Sequence, residues 1–368
     1  MSLKVSIIGS RGYPYVYSGY ETFVKELVER LVPRGIEVTV YCHKNLFVKR
    51  PEIMNGVNLV YIPTIEKKSM SQLIHSFQSM IHACLSKTDI ILVVNSANGP
   101  FGVISRLFGK RTAINVDGLE WLRPKWKGLG AKYFYWASKL STKLYDFIIN
   151  DSESMRDFYL KEFSADSTVI AYGANIRESK RPELIKKWSL RESDYYLIVG
   201  RLIPDNNADL IVNEFIKSNT TRKLVIVGDV PYQDSYAESI KNTTDDRVIF
   251  TGYVTDQDEL AELYHNCYGY FHGHEFGGTN PTMLKALAYG CAILALDTVF
   301  TREMLDGDNY GLFFNKDDAN LKELIEHVDK TSTIIYDLKK KSRNRISENY
   351  TWEKITQQYI DLFNKINR

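Results

Sequence analysis

The sequence predicts an α/β protein with two doubly wound, Rossmann-like domains that face a central cleft. Short apolar runs alternate with segments of helical period along all 368 residues. Most of these runs are continuously apolar, which is typical of parallel strands covered on both faces. The chain is too long for one ordinary core and fits two domains of roughly 150–190 residues. Ligands of such sheets bind at the carboxyl ends of the strands.

The predicted strands fall into two groups separated by a charged, apolar-poor stretch from Ile176 to about Asp194. We therefore predict a first domain at 1–178, a second at 179–335 and a helical tail at 336–368. The tail either closes the second domain only or packs back on the first. The strands are expected at Leu3–Gly9, Glu37–Cys42, Val57–Ile62, Ile90–Asn95, Thr112–Val116, Phe147–Asn150, Val169–Tyr172, Tyr195–Val199, Leu224–Gly228, Val248–Thr251, Tyr268–His272, Ala292–Leu296 and Gly311–Phe314.

Composition excludes several classes of protein. The net charge is +2, which predicts no nucleic-acid partner. The four cysteines are scattered without a C-x-x-C pair, so neither a zinc site nor a disulfide framework is expected. The chain begins directly with a strand pattern and contains no run of 18 apolar residues. These features predict a cytosolic protein, and they leave room for a peripheral contact with the inner face of the cell membrane.

The first candidate site is the stretch GSRGYPYVYSGYETFVKEL. Its glycines at 9, 12 and 19 do not form the G-x-G-x-x-G fingerprint, which argues against hydride chemistry. Ser18 and Glu21 fit a capping box, so Gly19 falls in the first helical turn. A glycine there would let a phosphate approach the backbone N–H groups. The alternative is an ordinary capped helix after a flexible loop.

The second candidate lies at residues 115–143. Asp117 ends a predicted strand, and it could act as an acid or base together with Glu120. A basic, aromatic surface follows, which suits a phosphate-bearing acceptor or anionic lipid heads. The alternative is a solvated face whose aromatic residues belong to the core. Between Trp121 and Lys143 there is no acidic residue, and the basic residues are Arg123, Lys125, Lys127, Lys132, Lys139 and Lys143.

In the second domain, Arg201 directly follows Gly200 at the end of a buried strand. Its fixed charge and fork of donors suit a diphosphate. Tyr253 and Val254 follow another strand, where a nucleotide base could lie against them. These positions predict a ligand at this edge of the second sheet.

The stretch HGHEFGGTNPTMLKALAYG adds a helix start to the same domain. Asn280 is a good N-cap and Pro281 a good first helical residue, after the flexible pair Gly277 and Gly278. Lys285 would lie just beyond the first turn, where a cation opposes the helix dipole unless an anion is bound. An anion site is therefore predicted here. The alternative is that Lys285 simply extends to solvent.

Together these motifs resemble glycosyltransferase family 4 enzymes of GT-B fold, over nearly the whole chain. Within that family the chain is most similar to the bacterial rhamnosyltransferase group of polysaccharide biosynthesis. The residues are GSRGYPYVYSGYETFVKEL, NVDGLEWLRPKW, NDSESMRDFYL, VGRLIPDNNADLIV and HGHEFGGTNPTMLKALAYG. The resemblance implies a nucleoside diphosphate sugar donor on the second domain and an acceptor on the first. It also implies retention of anomeric configuration, dTDP-L-rhamnose as donor and a lipid-diphosphate-linked saccharide as acceptor.

The match also shows two departures from the family pattern. Arg201 corresponds to the family's phosphate-binding arginine, but the lysine that usually follows is replaced within residues 205–207. The second glutamate of the family's E-x7-E pair falls at Lys285, and the first falls near Gly277 with Glu275 two residues away. Lys285 could supply the missing positive charge. A lysine cannot accept a hydrogen bond from ribose, and a deoxyribose would lose less from this change.

The resemblance assigns roles to individual residues. Arg201 and Lys285 are expected to stabilise charge on the leaving diphosphate, while Asp117 orients the sugar or accepts a proton. The expected acceptor-side residues are Glu120, Trp121, Arg123, Lys125 and Trp126. The expected donor-binding residues are Gly12, Gly19, Arg201, Tyr253, Val254, Glu275, Gly277, Gly278, Thr279, Asn280, Thr282 and Lys285.

No metal or cofactor is expected, because helix termini, an arginine and a lysine can neutralise a diphosphate. Two rival functions remain at this stage. One is a catalytically inactive nucleotide-sugar-binding protein, which the lost glutamate favours. The other is a sugar-nucleotide epimerase of the same fold, which would act on the donor without an acceptor.

Overall fold

The computed structural model describes residues 2–14, 19–65, 68–116, 118–124, 126–230 and 234–368. The chain forms two compact units. The first comprises Met1–Leu122, Trp126–Gly173 and Trp352–Arg368, and the second comprises Arg123–Lys125 and Ala174–Thr351. The main division therefore lies at 173/174 rather than near 178. The predicted tail is also divided, because only the part after 351 groups with the first unit.

The first unit contains an eight-stranded sheet in the order β3-β4-β2-β1-β5-β6-β7-β8. Its neighbouring strands are parallel except for β3, which runs antiparallel to β4. All residues of β5 are buried, as expected for a strand covered on both faces. The strands are β1 (Lys4–Ile8), β2 (Glu37–His43), β3 (Ile53–Met54), β4 (Val57–Ile62), β5 (Ile90–Val94), β6 (Arg111–Asn115), β7 (Phe147–Asn150) and β8 (Thr168–Val169).

Helices cover both faces of this sheet. Helix α1 packs against α13, where the ring of Phe23 contacts those of Trp352 and Tyr359. Helices α2, α3 and α4 pack side by side. Ser152 caps α5 by accepting a hydrogen bond from the N–H of Met155. The helices are α1 (Gly19–Leu31), α2 (Lys68–Leu85), α3 (Gly102–Leu107), α4 (Leu129–Leu144), α5 (Glu153–Phe163) and, at the end of the chain, α13 (Trp352–Asn367).

The second unit contains a six-stranded, all-parallel sheet in the order β11-β10-β9-β12-β13-β14. Its strands are β9 (Tyr195–Val199), β10 (Lys223–Val227), β11 (Val248–Gly252), β12 (Gly269–His272), β13 (Ile293–Leu296) and β14 (Gly311–Phe314). Its helices are α6 (Ala208–Lys217), α7 (Ser235–Lys241), α8 (Gln257–Asn266), α9 (Pro281–Ala288), α10 (Val299–Met304), α11 (Asn320–Lys330) and α12 (Ser332–Asn349).

The predicted fold class is confirmed, since each unit is doubly wound around a mainly parallel sheet. Every predicted strand segment contains a strand. The predicted strand at Val169–Tyr172 is reduced to Thr168–Val169, and β3 was not predicted. Among the described residues, no helix is both long and apolar enough to cross a bilayer.

Candidate functional site

The second sheet reverses its winding direction between β9 and β12. From β9 the chain proceeds to β10 and β11 on one side, and then crosses to β12, β13 and β14 on the other. The connections therefore diverge at this point, which leaves a crevice at the carboxyl ends of the two strands. Arg201 follows β9 and is exposed. Gly273 follows β12. The structure thus brings the two predicted donor-binding segments to neighbouring strand ends.

The loop after β9 is tied to the segment after β12 by side-chain amides. Asn206 donates from Nδ2 to the carbonyl of Arg201 at 2.8 Å, and its Oδ1 lies 2.8 Å from Nδ1 of His274. Asn207 donates from Nδ2 to the carbonyl of Gly273, also at 2.8 Å. Gly273 cannot be replaced easily, because an added Cβ would lie 2.3 Å from the carbonyl oxygen of Asn206. These contacts fix the backbone that carries Arg201.

Asp205 is a buried carboxylate in the same loop. It is 1 % exposed, and its Oδ2 lies 2.6 Å from Nε of Arg123. Its carbonyl accepts a hydrogen bond from the N–H of Glu275 at 3.1 Å. Arg123 was predicted on the acceptor side of the first domain, whereas the structure groups it with the second unit. Its guanidinium therefore neutralises a carboxylate next to the candidate donor site.

The two histidines of this segment are neutral near pH 7. Burial lowers the pKa of His272 to about 3. Burial lowers the pKa of His274 to about 4, and the nearby charge of Arg123 contributes to this shift. They can therefore act here through hydrogen bonds rather than through charge. The sequence predicts both as strand-end or sugar-contacting residues rather than metal ligands, from their position at the end of a strand.

The start of α9 has the geometry that the sequence predicted. Asn280 is the N-cap, and its Oδ1 accepts hydrogen bonds from the N–H of Thr282 at 2.9 Å and from its hydroxyl at 2.6 Å. Pro281 is the first helical residue. Gly277 has a φ of +111°, which favours glycine, and Thr279 is buried. Gly278, between them, is also buried.

Lys285 does not oppose the dipole of α9 in the way the sequence suggested. The helix has only eight residues, so Lys285 lies in its last turn, where a positive charge is favourable. Lys285 does lie just beyond the first turn, as predicted, but in so short a helix this position does not by itself require a bound anion. Lys285 itself is half-buried. In the loop before α9, the carboxylate of Glu275 accepts hydrogen bonds from Lys316 at 2.7 Å and from Asn207 at 3.4 Å.

Tyr253 and Val254 follow β11, at the edge of the sheet. The hydroxyl of Tyr253 donates to the carbonyl of Asp229 at 2.8 Å, and its side chain is 55 % exposed. One strand, β10, separates β11 from β9. The role of these two residues as a platform for a base stays a prediction.

In the first unit, Gly12 and Gly19 have different surroundings. Gly12 has a φ of +124°, and an added Cβ would lie 2.7 Å from Sγ of Cys42, so packing alone requires a glycine here. Gly19 begins α1 and is exposed. Ser18, the predicted cap, lies outside the described residues. The carboxylate of Glu21 accepts a hydrogen bond from the N–H of Arg11 at 3.0 Å.

The predicted acceptor-side residues are partly structural. Asp117 and Lys125 lie outside the described residues. Glu120 accepts a hydrogen bond from Nε1 of Trp126 at 2.7 Å, and the ring of Trp126 packs on a neighbouring ring of α4. Trp121 is half-buried among aromatic rings of α4 and α5. Those rings belong to Tyr135, Phe158, Tyr159 and Phe163.

Within the described ranges, no group of three or more His, Cys, Asp or Glu side chains is arranged to hold a metal ion. The expectation of metal-independent chemistry stays a prediction.

Two protein-family models match the chain. Residues 2–175 match a domain of unknown function, DUF1972. Residues 193–331 match Glycosyl transferases group 1. No curated protein matches the chain by sequence.

Solved structures similar to this chain cover almost its whole length. Sucrose-phosphate synthase from Thermosynechococcus elongatus has a TM-score of 0.82 at 18 % identity, over 99 % of both chains. HepE from Anabaena, in complex with UDP, has a TM-score of 0.78 at 13 % identity, over 99 % of this chain and 100 % of that one. The catalytic domain of starch synthase IV from Arabidopsis thaliana, bound to ADP and acarbose, has a TM-score of 0.75 at 12 % identity, over 100 % of both. The chain therefore has the GT-B fold, and the match to the glycosyltransferase group 1 model lies within its second unit.

Proposed function

We propose that this protein is a retaining glycosyltransferase that uses a nucleoside diphosphate sugar as donor. The observation that carries the proposal is that Arg201 and the glycine-containing segment before α9 follow the neighbouring strands β9 and β12. The match of residues 193–331 to Glycosyl transferases group 1 supports it. So do similar structures that contain UDP, UDP-glucose or ADP.

In the proposed reaction, the bond between the anomeric carbon and the diphosphate oxygen breaks while the acceptor hydroxyl oxygen forms the new glycosidic bond. The hydroxyl gives up its proton to Asp117 or to the leaving diphosphate. The protein must stabilise the negative charge that develops on the leaving diphosphate. Arg201 can donate two parallel hydrogen bonds to phosphate oxygens. The N–H groups at the start of α9 add donors and a favourable dipole. Lys285 adds a second positive charge, and no metal ion is required by this arrangement.

The finer assignment is transfer of L-rhamnose from dTDP-L-rhamnose to a lipid-diphosphate-linked saccharide. It rests on the resemblance to the rhamnosyltransferase group and on Lys285, which cannot accept a hydrogen bond from a ribose hydroxyl. The roles that the resemblance implies for Gly19, at the diphosphate, and for Asp117, in orienting the sugar or accepting a proton, stay predictions. Glu120 and Trp121 belong to the acceptor side.

The test begins with thermal unfolding of the protein in the presence of dTDP, UDP, GDP and ADP. Because a ligand that binds only the folded state raises Tm, dTDP should give the largest increase. A larger increase with UDP or GDP would overturn the rhamnose assignment. If no nucleoside diphosphate raises Tm, the proposed donor site is wrong.

The second part measures nucleoside diphosphate release from dTDP-L-rhamnose, with and without lipid-diphosphate-linked saccharides. Release that depends on an acceptor supports transfer. Binding of the donor without turnover on any acceptor would instead favour the inactive nucleotide-sugar-binding protein. Conversion of the donor alone to an isomer, seen by NMR, would indicate the epimerase.

A further inference from the structure

Helices α2, α3 and α4 form one continuous surface on the first unit, which we call the α2–α4 surface. The helices pack side by side, and their inner sides cover the sheet. Residues such as Met80 on α2, Ser105 on α3 and Ala137 on α4 are buried. The outer sides of the same helices remain exposed.

The α2–α4 surface exposes several large apolar side chains. Leu107 and Leu129 are 80 % and 85 % exposed, and half of the side chain of Trp136 is exposed. On α2, the exposed residues Phe77 and Leu85 lie eight positions apart, so they share one face of the helix. A contiguous group of exposed large apolar side chains on a folded protein usually marks an interaction site.

The charges of this surface are all of one sign. None of the three helices contains an aspartate or a glutamate. Lys132, Lys139 and Lys143 are exposed on α4, and together with Trp136 they follow one another at intervals of three or four residues. They therefore lie on the same helix face as the exposed tryptophan. The hydroxyl of Tyr135 donates to Glu162 of α5, which marks the edge of the basic region.

We propose that the α2–α4 surface binds the surface of a bilayer that contains anionic lipids. Leucine and phenylalanine side chains can enter the boundary of the acyl region, while Trp136 lies at the level of the headgroups. The lysines can extend their charged ends to lipid phosphates. A second copy of this chain would place like charges opposite one another, and a nucleic acid would not bury the leucines. The proposal does not depend on the glycosyl transfer proposed above.

The test is co-sedimentation of the full chain with vesicles, at physiological salt. One vesicle is pure phosphatidylcholine, and the other contains one third phosphatidylglycerol. We expect binding to the second and little binding to the first, together with a blue shift of tryptophan fluorescence. The shift should be smaller in Trp136→Phe. Absence of binding to the anionic vesicles would overturn the proposal.

Two variants distinguish the contribution of the lysine charges to membrane binding from the contribution of the apolar side chains. The triple variant Lys132→Gln, Lys139→Gln, Lys143→Gln should weaken binding at least about tenfold, because each lysine near an anionic surface contributes. The matched control changes three exposed lysines of the second unit, Lys180→Gln, Lys186→Gln and Lys340→Gln. An equal loss in the control would show that only net charge matters and would overturn the assignment of this surface.

The apolar part is tested by Leu107→Ser combined with Trp136→Ser. These side chains are exposed, so the fold should be retained, while binding to anionic vesicles should fall at least about fivefold. Tyr336→Ser, at an exposed residue of the second unit, is the control and should bind like the unchanged chain. If the apolar variant binds normally, or if it dissociates a dimer of this chain in sedimentation, the membrane proposal is wrong.

Discussion

The two units have the same winding but use their strand ends differently. In the first unit, Gly9 directly after β1 is fixed by packing, because a Cβ there would lie 2.3 Å from the carbonyl oxygen of Val94. Gln72 also donates to the carbonyl of Gly9 at 2.8 Å. In the second unit, Arg201 stands exposed after β9, and the start of α9 follows β12. Topology alone therefore does not favour either unit for the proposed nucleotide, whereas the loops of the second unit do.

The outer helices of the two units also differ, in their charged and apolar residues. Helices α2, α3 and α4 of the first unit contain no acidic residue and expose apolar side chains. Helices α11 and α12 of the second unit carry acidic and basic residues together, as in NLKELIEHVDK. A mixed charged face is typical of a solvated surface. The first unit thus differs in the composition of these outer helices, and the second differs in the residues that follow its strands.

The largest effect on stability is expected from substitution of the glycines that directly follow the strands. Gly228 has a φ of +116°, and an added Cβ would lie 2.1 Å from the carbonyl oxygen of Gly200. Gly228→Ala should lower the free energy of unfolding by about 3 kcal/mol or more, through overlap and backbone strain. Gly252→Ala is the control, with φ +66° but open space around the Cβ. Urea unfolding measures both.

A glycine substitution in each unit also tests which of the two units binds the nucleotide. Gly9→Ala should cost a similar amount of stability in the first unit. Only Gly228→Ala should also weaken nucleotide binding, because it displaces the backbone beside Arg201. Equal losses of dTDP affinity in both variants would contradict the assignment of the nucleotide to the second unit.

Arg201→Ala should weaken dTDP binding by about 10- to 100-fold, since a charge-assisted bidentate contact is lost. Arg191→Ala is the matched control, because Arg191 is exposed just before β9, at the opposite end of the same strand. Isothermal titration should find the control unchanged. Arg201→Lys should fall between the two, because lysine keeps the charge but loses the fork. A loss as large in Arg191→Ala would refute the site.

Acidification should destabilise both units. Burial lowers the pKa of His43 to about 4 and of His75 to about 3, and it does the same for His272 and His274 in the second unit. These groups bind fewer protons when folded than when unfolded. Their contribution is complete above about pH 6.5 and is lost as the pH falls toward their folded pKa values. At pH 5 each can contribute up to about 2 kcal/mol of lost stability.

The histidine pair of the first unit provides the discriminating measurement. The rings of His43 and His75 stack with centroids 3.8 Å apart. His75→Leu should reduce the difference in the free energy of unfolding between pH 7 and pH 5, as measured by urea titration. An unchanged pH difference in this variant would show that the pair does not cause the acid sensitivity.

The smallest effect is expected at Lys285. If its charge replaces the family lysine, Lys285→Glu should reduce dTDP affinity by about five- to tenfold, and Lys285→Met by less. Both can be measured by titration calorimetry. An affinity that is unchanged or improved in Lys285→Glu would refute the idea that the positive charge has been relocated.

Local signals in the sequence were sufficient for part of this site. Arg201 could be predicted because it directly follows a continuous apolar strand. Asn280 could be predicted because a cap, a proline and an apolar helix occur together. The dipole argument for Lys285 is weaker than the sequence suggested, because in a helix of eight residues this position belongs to the last turn as well as lying just beyond the first.

Other features depend on contacts between distant residues and could not be predicted. The packing of Gly12 on Cys42 and the pairing of Arg123 with Asp205 join segments far apart in the chain. Strand β3 has only two residues and no apolar run of its own, so no period could reveal it. The apolar pattern of the sequence predicts strands well when they are buried along their whole length. It does not predict contacts in which one residue depends on a second residue far away in the chain.

The second unit is inserted in the sequence of the first. The first unit therefore cannot be completed during synthesis until the second has been made. Helix α13 covers β5 and β6, and the carbonyl of Ile366 accepts a hydrogen bond from Arg111 at 2.9 Å. These contacts form only after residues 174–351 have been synthesised. A nascent chain that has reached residue 173 therefore exposes the apolar face that α13 later covers. The second unit can finish folding first, although it is made later.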